Sequence, residues 1–362
     1  MKAENIILNG KGYNRTNLEN LHFADEPEDS WRNAIYHFLV NWFDDSDSII
    51  THTSGSTGKP KEIRLRKAAM INSAGMTNYF FGLNADSTAL LCMPASYIAG
   101  KMMLVRALVG GFYLIAVEPK ANPFENLNQQ VDFTAITPYQ LFHSVESLKS
   151  GFIRKVIVGG SPVTSKLEQL VEEIHAEIYE TYGMTETYSH IALRRINGKE
   201  KSDYFTVLNG VEIHQTKHGC LAVYAPHLSE NELITNDIVD LKDSKSFRWL
   251  GRIDSVINSG GIKIHPEQVE KKLEKVILSN FFITSVPDHF LENKVVLIIE
   301  SEEFTAEKVT ELNTFFESNL SRFEIPKQIF YLPAFIYSES NKILRKESLA
   351  KAISQMTKEN LC

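Results

Sequence analysis

The sequence predicts an α/β fold in two parts: a large N-terminal α/β domain, layered on a mostly parallel sheet with a β-rich subdomain, and a small mobile α+β domain after it. Three observations predict this. Short apolar runs alternate with longer helix-like stretches from about residue 46 to 230, strands become closely spaced from 221 to 250, and Gly251-Arg252-Ile253-Asp254 separates them from a further compact set of elements. The first runs lie at 49–50, 90–93, 112–117, 133–136, 155–158 and 177–179. Helices between such runs argue for parallel pairing, because a parallel connection needs a long crossover. The runs at 221–223, 233–234 and 247–250 leave room only for hairpins. Beyond the Gly251–Asp254 hinge come runs at 256–257 and 262–264 and a helix opening at Pro266-Glu267 that carries Val269, Leu273 and Val276 on one face. Runs at 282–286 and 295–299, a helix capped by Thr305 and a polar stretch at 338–342 complete the chain. The expected domains are therefore 1–252 and 253–362.

The chain has 362 residues, 43% hydrophobic and 23% charged, which suits a globular protein of two or three domains. A net charge of -7 gives no support for a broad nucleic-acid or anionic-membrane surface, so any anion must be held by a local site. Cys92, Cys220 and Cys362 lack metal-ligand spacing, the first residues lack the apolar core of a signal peptide, and the apolar runs are too short to span a bilayer. A reducing cytoplasm is the expected compartment.

Thr53-Ser54-Gly55-Ser56-Thr57-Gly58-Lys59-Pro60-Lys61 follows an apolar run ending at Ile50. Gly55 and Gly58 permit positive φ, so successive N–H groups can converge on an anion, while the hydroxyls and two ammonium groups add donors. Pro60 blocks the helix that the common phosphate loop requires, and Lys61-Glu62-Ile63-Arg64-Leu65 alternates like a strand. The reading is a strand, a phosphate-holding loop and a second strand, with a nucleoside triphosphate as ligand.

Further motifs follow in order: Gly159-Gly160-Ser161-Pro162; Tyr179-Glu180-Thr181-Tyr182-Gly183-Met184-Thr185-Glu186-Thr187; Asp237; Gly251-Arg252-Ile253-Asp254 with Ser259-Gly260-Gly261-Ile262-Lys263; and Asn341-Lys342-Ile343-Leu344-Arg345. Together with the loop at Thr53 to Lys61, the set resembles the adenylate-forming superfamily of acyl-CoA synthetases, adenylation domains and luciferases. That resemblance implies ATP, Mg²⁺ and CoA as cofactor and co-substrates. It implies ATP binding by Thr53, Ser54, Gly55, Ser56, Thr57, Gly58 and Lys59, by Gly159, Gly160 and Ser161, by Tyr182 and Gly183, and by Asp237 backed by Arg252. Glu186 would hold the metal through oxygen and Thr185 would donate to the α-phosphate. Attack of a carboxylate on that phosphate brings two anions together, and Lys342 would lower their repulsion. Asp254 would be the hinge, with Ser259, Gly260, Gly261 and Lys263 on the CoA path. Asn341 stands where the family commonly has glycine; asparagine also adopts positive φ.

The segment from Met93 to Leu108 is similar to the acyl-contacting stretch of o-succinylbenzoate:CoA ligases of menaquinone biosynthesis, particularly at Gly100 and Arg106. Tyr97, Gly100, Lys101 and Arg106 are the acid-binding candidates. Such an acid is a dianion: one carboxylate is activated, and the other needs a cation from Arg106 or Lys101. Tyr97 stands where many relatives have histidine, Ala99 where serine is frequent, and the phosphate loop begins near residue 53, implying a shortened first subdomain. The expected function is ATP-dependent o-succinylbenzoate:CoA ligation through an acyl-adenylate. A ligase for another aryl or short-chain acid, a carrier-loading adenylation enzyme and a non-catalytic nucleotide-binding protein stay open, as does a homodimer. Small molecules are the expected partners, with no nucleic acid and no membrane insertion.

Overall fold

A computed structural model describes residues 4–21, 26–52, 62–337 and 343–359. Among them one 13-stranded sheet dominates. Its middle is parallel, with Ile6–Leu8, Tyr113–Ala116, Thr88–Leu91, Val131–Ile136, Ile153–Val158 and Glu177–Gly183 side by side in that order. Successive side chains point to opposite faces, so Leu90 and Val156 enter one core while Ala89, Leu91 and Ile157 enter the other. Helices over both faces bury these runs, which is why they read as continuous apolar segments.

The margins are antiparallel. Lys11–Tyr13 closes one edge as the second arm of a hairpin with Ile6–Leu8. Beyond Glu177–Gly183 lie His190–Arg195, Phe205–Val207, Ser246–Arg252, Leu233–Leu241, Cys220–Tyr224 and Glu212–Gln215. The β-rich segment thus continues the same hydrogen-bonded sheet, because its connections are short enough only for antiparallel returns. Thr137 and Gln140 form a capping box that starts the helix Pro138–Leu148, with Pro138 in the first turn where its missing N–H costs nothing.

The strands Ser48–His52 and Glu62–Arg66 pair as a separate antiparallel hairpin, as the alternation of Glu62 to Leu65 predicts. A second, five-stranded sheet holds Ile262–Ile264, Ile257–Ser259, Glu292–Glu300, Phe281–Asp288 and Gln328–Leu332, packed by helices Pro266–Leu273 and Ala306–Asn319. Thr305 caps the latter, its hydroxyl accepting from the Lys308 amide. The two sheets meet through helix Pro266–Leu273: Gln268 donates to the Leu250 carbonyl at 3.0 Å, and Glu274 accepts from the Ser165 amide at 2.7 Å.

Candidate active site

The C-terminal ends of the parallel strands Ile153–Val158 and Glu177–Gly183 carry the motif residues. Gly159 leaves the first strand against Thr181; a β-carbon there would overlap the Thr181 hydroxyl, which donates to the Val158 carbonyl at 3.1 Å. Gly160 follows at φ +94°, a conformation few side chains adopt, and Ser161 is exposed. The loop is fixed from below. Glu180 accepts from the Val163 amide at 2.8 Å and is itself clamped by the buried Arg194, whose other side pairs with Glu168 at 2.6 Å. Nothing in the loop's own sequence announces this support.

Tyr182 lies edge-on to Phe247, with ring centroids 5.0 Å apart, and its phenol donates to Asp237 Oδ2 at 2.6 Å. Burial and the Asp237 charge push that phenol's ionisation up. The Trp249 indole donates to Asp237 Oδ1 at 3.1 Å, so both carboxylate oxygens are aimed while each keeps a further lone pair. Arg252 is the cross-strand register partner of Asp237, yet its guanidinium forms a two-pronged pair with Asp254 at 3.0 Å. The hydrogen bonds to Asp237 come from Tyr182 and Trp249, while Arg252 acts on it through charge alone. Gly183 has a packing reason: a β-carbon would overlap the backbone of Ser189 and His190 on the next strand.

The turn after Gly183 presents Thr185 half-buried and Glu186 exposed. No cluster of three or more metal-ligating side chains exists among the described residues. A single exposed carboxylate fits Mg²⁺, which keeps waters and phosphate oxygens in most of its shell, and does not fit a metal caged by protein alone.

The acid-side candidates gather on the helix Ile98–Gly110. Tyr97 caps it and is 59% exposed. Gly100 is required by packing, because a β-carbon would overlap the Pro94 carbonyl. Lys101 is buried, donates to the Ser96 carbonyl, and has its ionisation pulled down to about 8 by burial. Arg106 is 2% exposed and no carboxylate pairs with it among the described residues. It donates to Ser189 Oγ at 2.7 Å, its Nε has no partner, and burial pulls it down to about 9.

Arg106 starts a buried chain of polar contacts that sequence reading missed. Ser189 Oγ lies 3.4 Å from His190 Nδ1, His190 Nε2 lies 3.2 Å from Thr77 Oγ1, and Thr77 donates to the Ser73 carbonyl at 3.3 Å. With Arg106 as donor at one end and a carbonyl at the other, every proton in the chain points one way. That assignment requires a neutral His190 accepting at Nδ1. Burial, and then the Arg106 charge, hold His190 well below its ordinary 6.5, as the chain demands. Asn78 Oδ1 and Ser73 Oγ, on the neighbouring helix, are also buried without partners.

The remaining candidates sit apart from these. Gly260 and Gly261, at φ +57° and +80°, make a two-residue hairpin turn between Ile257–Ser259 and Ile262–Ile264, so the turn itself demands both glycines. Ser259 is buried and Lys263 exposed. Residues Thr53 to Lys59 and Lys342 lie outside the described residues.

The profile of the family described as AMP-binding enzyme matches residues 11–215. A 2-succinylbenzoate–CoA ligase of Bacillus cereus is 25% identical over 342 residues, covering 85% of this chain and 70% of that relative. Among solved structures, the chain is similar to an acyl-CoA synthetase (AMP-forming)/AMP-acid ligase II-like protein from Dyadobacter fermentans. That likeness has 34% identity and a TM-score of 0.61, and covers 90% of this chain and 95% of that one. The o-succinylbenzoate coenzyme A synthetase of Bacillus subtilis, in complex with the acyl-adenylate intermediate OSB-AMP, shares the fold. Its TM-score is 0.70 at 22% identity, covering 82% of this chain and 68% of that one.

Proposed function

The chain belongs to the AMP-binding enzyme family, and from that premise we propose that it is an ATP-dependent acid:CoA ligase whose acid is o-succinylbenzoate. The observation that supports this acid is Arg106: a buried guanidinium with an unpartnered Nε and no carboxylate beside it among the described residues. A buried cation without a counter-ion is costly, and a substrate carboxylate would relieve that cost on binding. A monocarboxylic acid, whose carboxylate is consumed in activation, would leave Arg106 unpaired.

In this reading one carboxylate oxygen attacks the α-phosphorus of ATP and pyrophosphate leaves; the CoA sulfur then attacks the acyl carbon and AMP leaves. Asp237, oriented by Tyr182 and Trp249, accepts from the ribose hydroxyls, and the glycines at 159 and 160 let the adenine approach backbone. Mg²⁺, when held by Glu186, would offset phosphate charge. Thr185 donates to the α-phosphate, and Lys342, from the second of the domains 1–252 and 253–362, bridges the two anions. Rotation about Asp254 would then bring Ser259, Gly260, Gly261 and Lys263 to the CoA. The cytoplasm is the compartment this reading expects. No helix among the described residues is long and apolar enough to cross a membrane.

The test is pyrophosphate release with ATP, Mg²⁺ and a panel of carboxylic acids, each with and without CoA. Preference for o-succinylbenzoate, with CoA thioester and AMP as products, supports the reading. Preference for a benzoate or short-chain acid keeps the chemistry and removes the role of Arg106. Transfer to a carrier protein in place of CoA would point to an adenylation enzyme, and tight ATP binding without release to a binding protein.

A further inference from the structure

Helix Ser165–Leu170 leads straight out of the loop that holds Gly159 and Gly160, and Thr164 caps it, its hydroxyl accepting from the Leu167 amide at 3.3 Å. A helix this short cannot hold itself in water, so its place is set by what grips it. The first grip comes from the second sheet's layer. The Ser165 amide, a donor that a helix start leaves without an internal partner, donates to Glu274 at 2.7 Å. Glu274 closes the C-terminal end of helix Pro266–Leu273, which is itself fastened to the second sheet: Glu270 accepts from the Ile283 amide at 2.8 Å and pairs with Arg345 at 2.7 Å.

The second grip comes from beneath the nucleotide side. Glu168, one turn into the short helix and 6% exposed, accepts from Arg194 at 2.6 Å. Arg194 carries that grip to two walls of the site. Its Nε donates to Glu180, which accepts from the Val163 amide at 2.8 Å at the foot of the glycine loop. Its guanidinium also lies 5.6 Å over the Phe205 ring, Phe205 stacks on Phe247 with centroids 5.6 Å apart, and Phe247 meets Tyr182 at 5.0 Å. Two buried carboxylates on one guanidinium call for a second cation, and Lys201 supplies it 3.4 Å from Glu168. Loss of any one partner from such a buried set leaves a charge uncompensated, so its members shift together or not at all.

We propose that Glu274 is a positioning residue for the nucleotide: through the Ser165 amide, the short helix and the Glu168–Arg194–Glu180 chain, it holds the glycine loop in place while the second sheet's helix is docked. The identification of the ligand as a nucleotide rests on the ligase reading above. With Glu274 in place the helix is held at both of its grips; without it the Ser165 amide returns to water and the loop's hold on the nucleotide slackens. By linkage, a bound nucleotide favours the docked arrangement by the same factor. In the ligase cycle this ties the loosening of AMP to departure of the second domain from Ser165.

Glu274→Ala, Glu274→Gln, Glu168→Gln and the Glu274→Ala/Glu168→Gln double variant test this by equilibrium binding of Mg²⁺-ATP without acid or CoA. Glu274→Ala should weaken ATP about fivefold, the low end of an ordinary coupling, and leave KM for the acid within about twofold. Glu274→Gln keeps an oxygen for the Ser165 amide and should bind ATP as the unaltered protein does. Glu168→Gln should weaken ATP by itself, and the double variant should lose no more than the worse single one, since both cut one path. Exchange of the Val163 amide, read without nucleotide, should quicken in Glu274→Ala and hold in Glu274→Gln. Unchanged ATP affinity or Val163 exchange in the alanine variant, a glutamine variant as weak as alanine, equal losses for ATP and acid, or additive losses would each overturn the proposal. A wild-type protein that releases no pyrophosphate would sink the ligase reading, while ATP binding and Val163 exchange would still decide whether Glu274 holds the loop.

Discussion

The two halves of the site are built on opposite terms. On the nucleotide side, among the described residues, the charges other than the exposed Glu186 are partnered: Asp237 takes bonds from Tyr182 and Trp249, Glu180 and Glu168 share Arg194, and Arg252 pairs with Asp254. On the acid side Arg106 is buried with no carboxylate partner among the described residues, beside an orphaned Asn78 oxygen and Ser73 hydroxyl. On the proposed reading, the described strand-end part of the first half is already satisfied by the protein, while the second stores an unfavourable charge that an acid ligand would settle. If the acid binds there as proposed, selectivity would reside in the second, because a site with unpaired buried polar groups rejects any ligand that leaves them so.

The largest effect should come from Arg106→Met, which keeps the side-chain length and removes the charge. Acid-dependent pyrophosphate release is expected to fall by about a thousandfold, the order of cost of leaving one member of a buried ion pair, here the substrate carboxylate, without its partner. Stability should move the other way, rising by about 1 kcal/mol, because an uncompensated buried charge has been taken out. Joint measurement of turnover and denaturant midpoint checks both signs; a drop in stability would mean that Arg106 is already compensated.

Asp237→Asn probes the finished half and should do less. The amide keeps one acceptor for Tyr182 or Trp249 but loses the second, so KM for ATP is expected to rise by about ten- to a hundredfold at the usual value of a charged hydrogen bond. The acid KM should hold. Equal losses in both constants would erase the distinction between the halves.

The same contrast governs what the sequence shows and what it hides. The strands Val131–Ile136 and Ile153–Val158 are legible because a buried parallel strand is apolar throughout. The nucleotide motifs are legible because glycines and a Tyr-Gly-Met-Thr-Glu run occupy contiguous positions. Ser189, His190 and Thr77 are invisible as a site in the sequence, since their meaning comes from contacts 83 and 113 residues apart in the chain. Trp249 meets Asp237 only through the register of two antiparallel strands. The Ile6–Leu8 and Lys11–Tyr13 strands, three residues each, carry no period to read.

His190 sharpens the comparison through pH. Its folded-state ionisation lies well below 6.5 from burial and the Arg106 charge, so below pH 6.5 the unfolded chain takes up a proton that the folded protein refuses. Stability should therefore be intact above pH 6.5 and fall as pH drops beneath it, by up to about 1.4 kcal/mol per pH unit for one proton. His190→Gln, which cannot charge, should remove that part of the acid loss in denaturant unfolding measured from about pH 7 to about pH 5. An unchanged slope would place the acid sensitivity elsewhere.

The smallest effect concerns a contact outside both halves. Glu274, on the second sheet's helical face, accepts from the Ser165 amide at 2.7 Å, and burial raises its carboxyl above the ordinary 4.5 against the lowering effect of its bonds to Ser165. A raised folded value means that the docked carboxylate is disfavoured once it ionises, so docking weakens as pH climbs through that value and carries the whole cost at about pH 7. Glu274→Gln retains an oxygen for the Ser165 amide and never ionises. Exchange of that amide near neutral pH should slow by roughly fivefold in the glutamine variant and quicken in Glu274→Ala, which leaves the donor unpaired. Quicker exchange with glutamine would show that the negative charge itself holds the contact, and would give this junction the same fully partnered character as the nucleotide side.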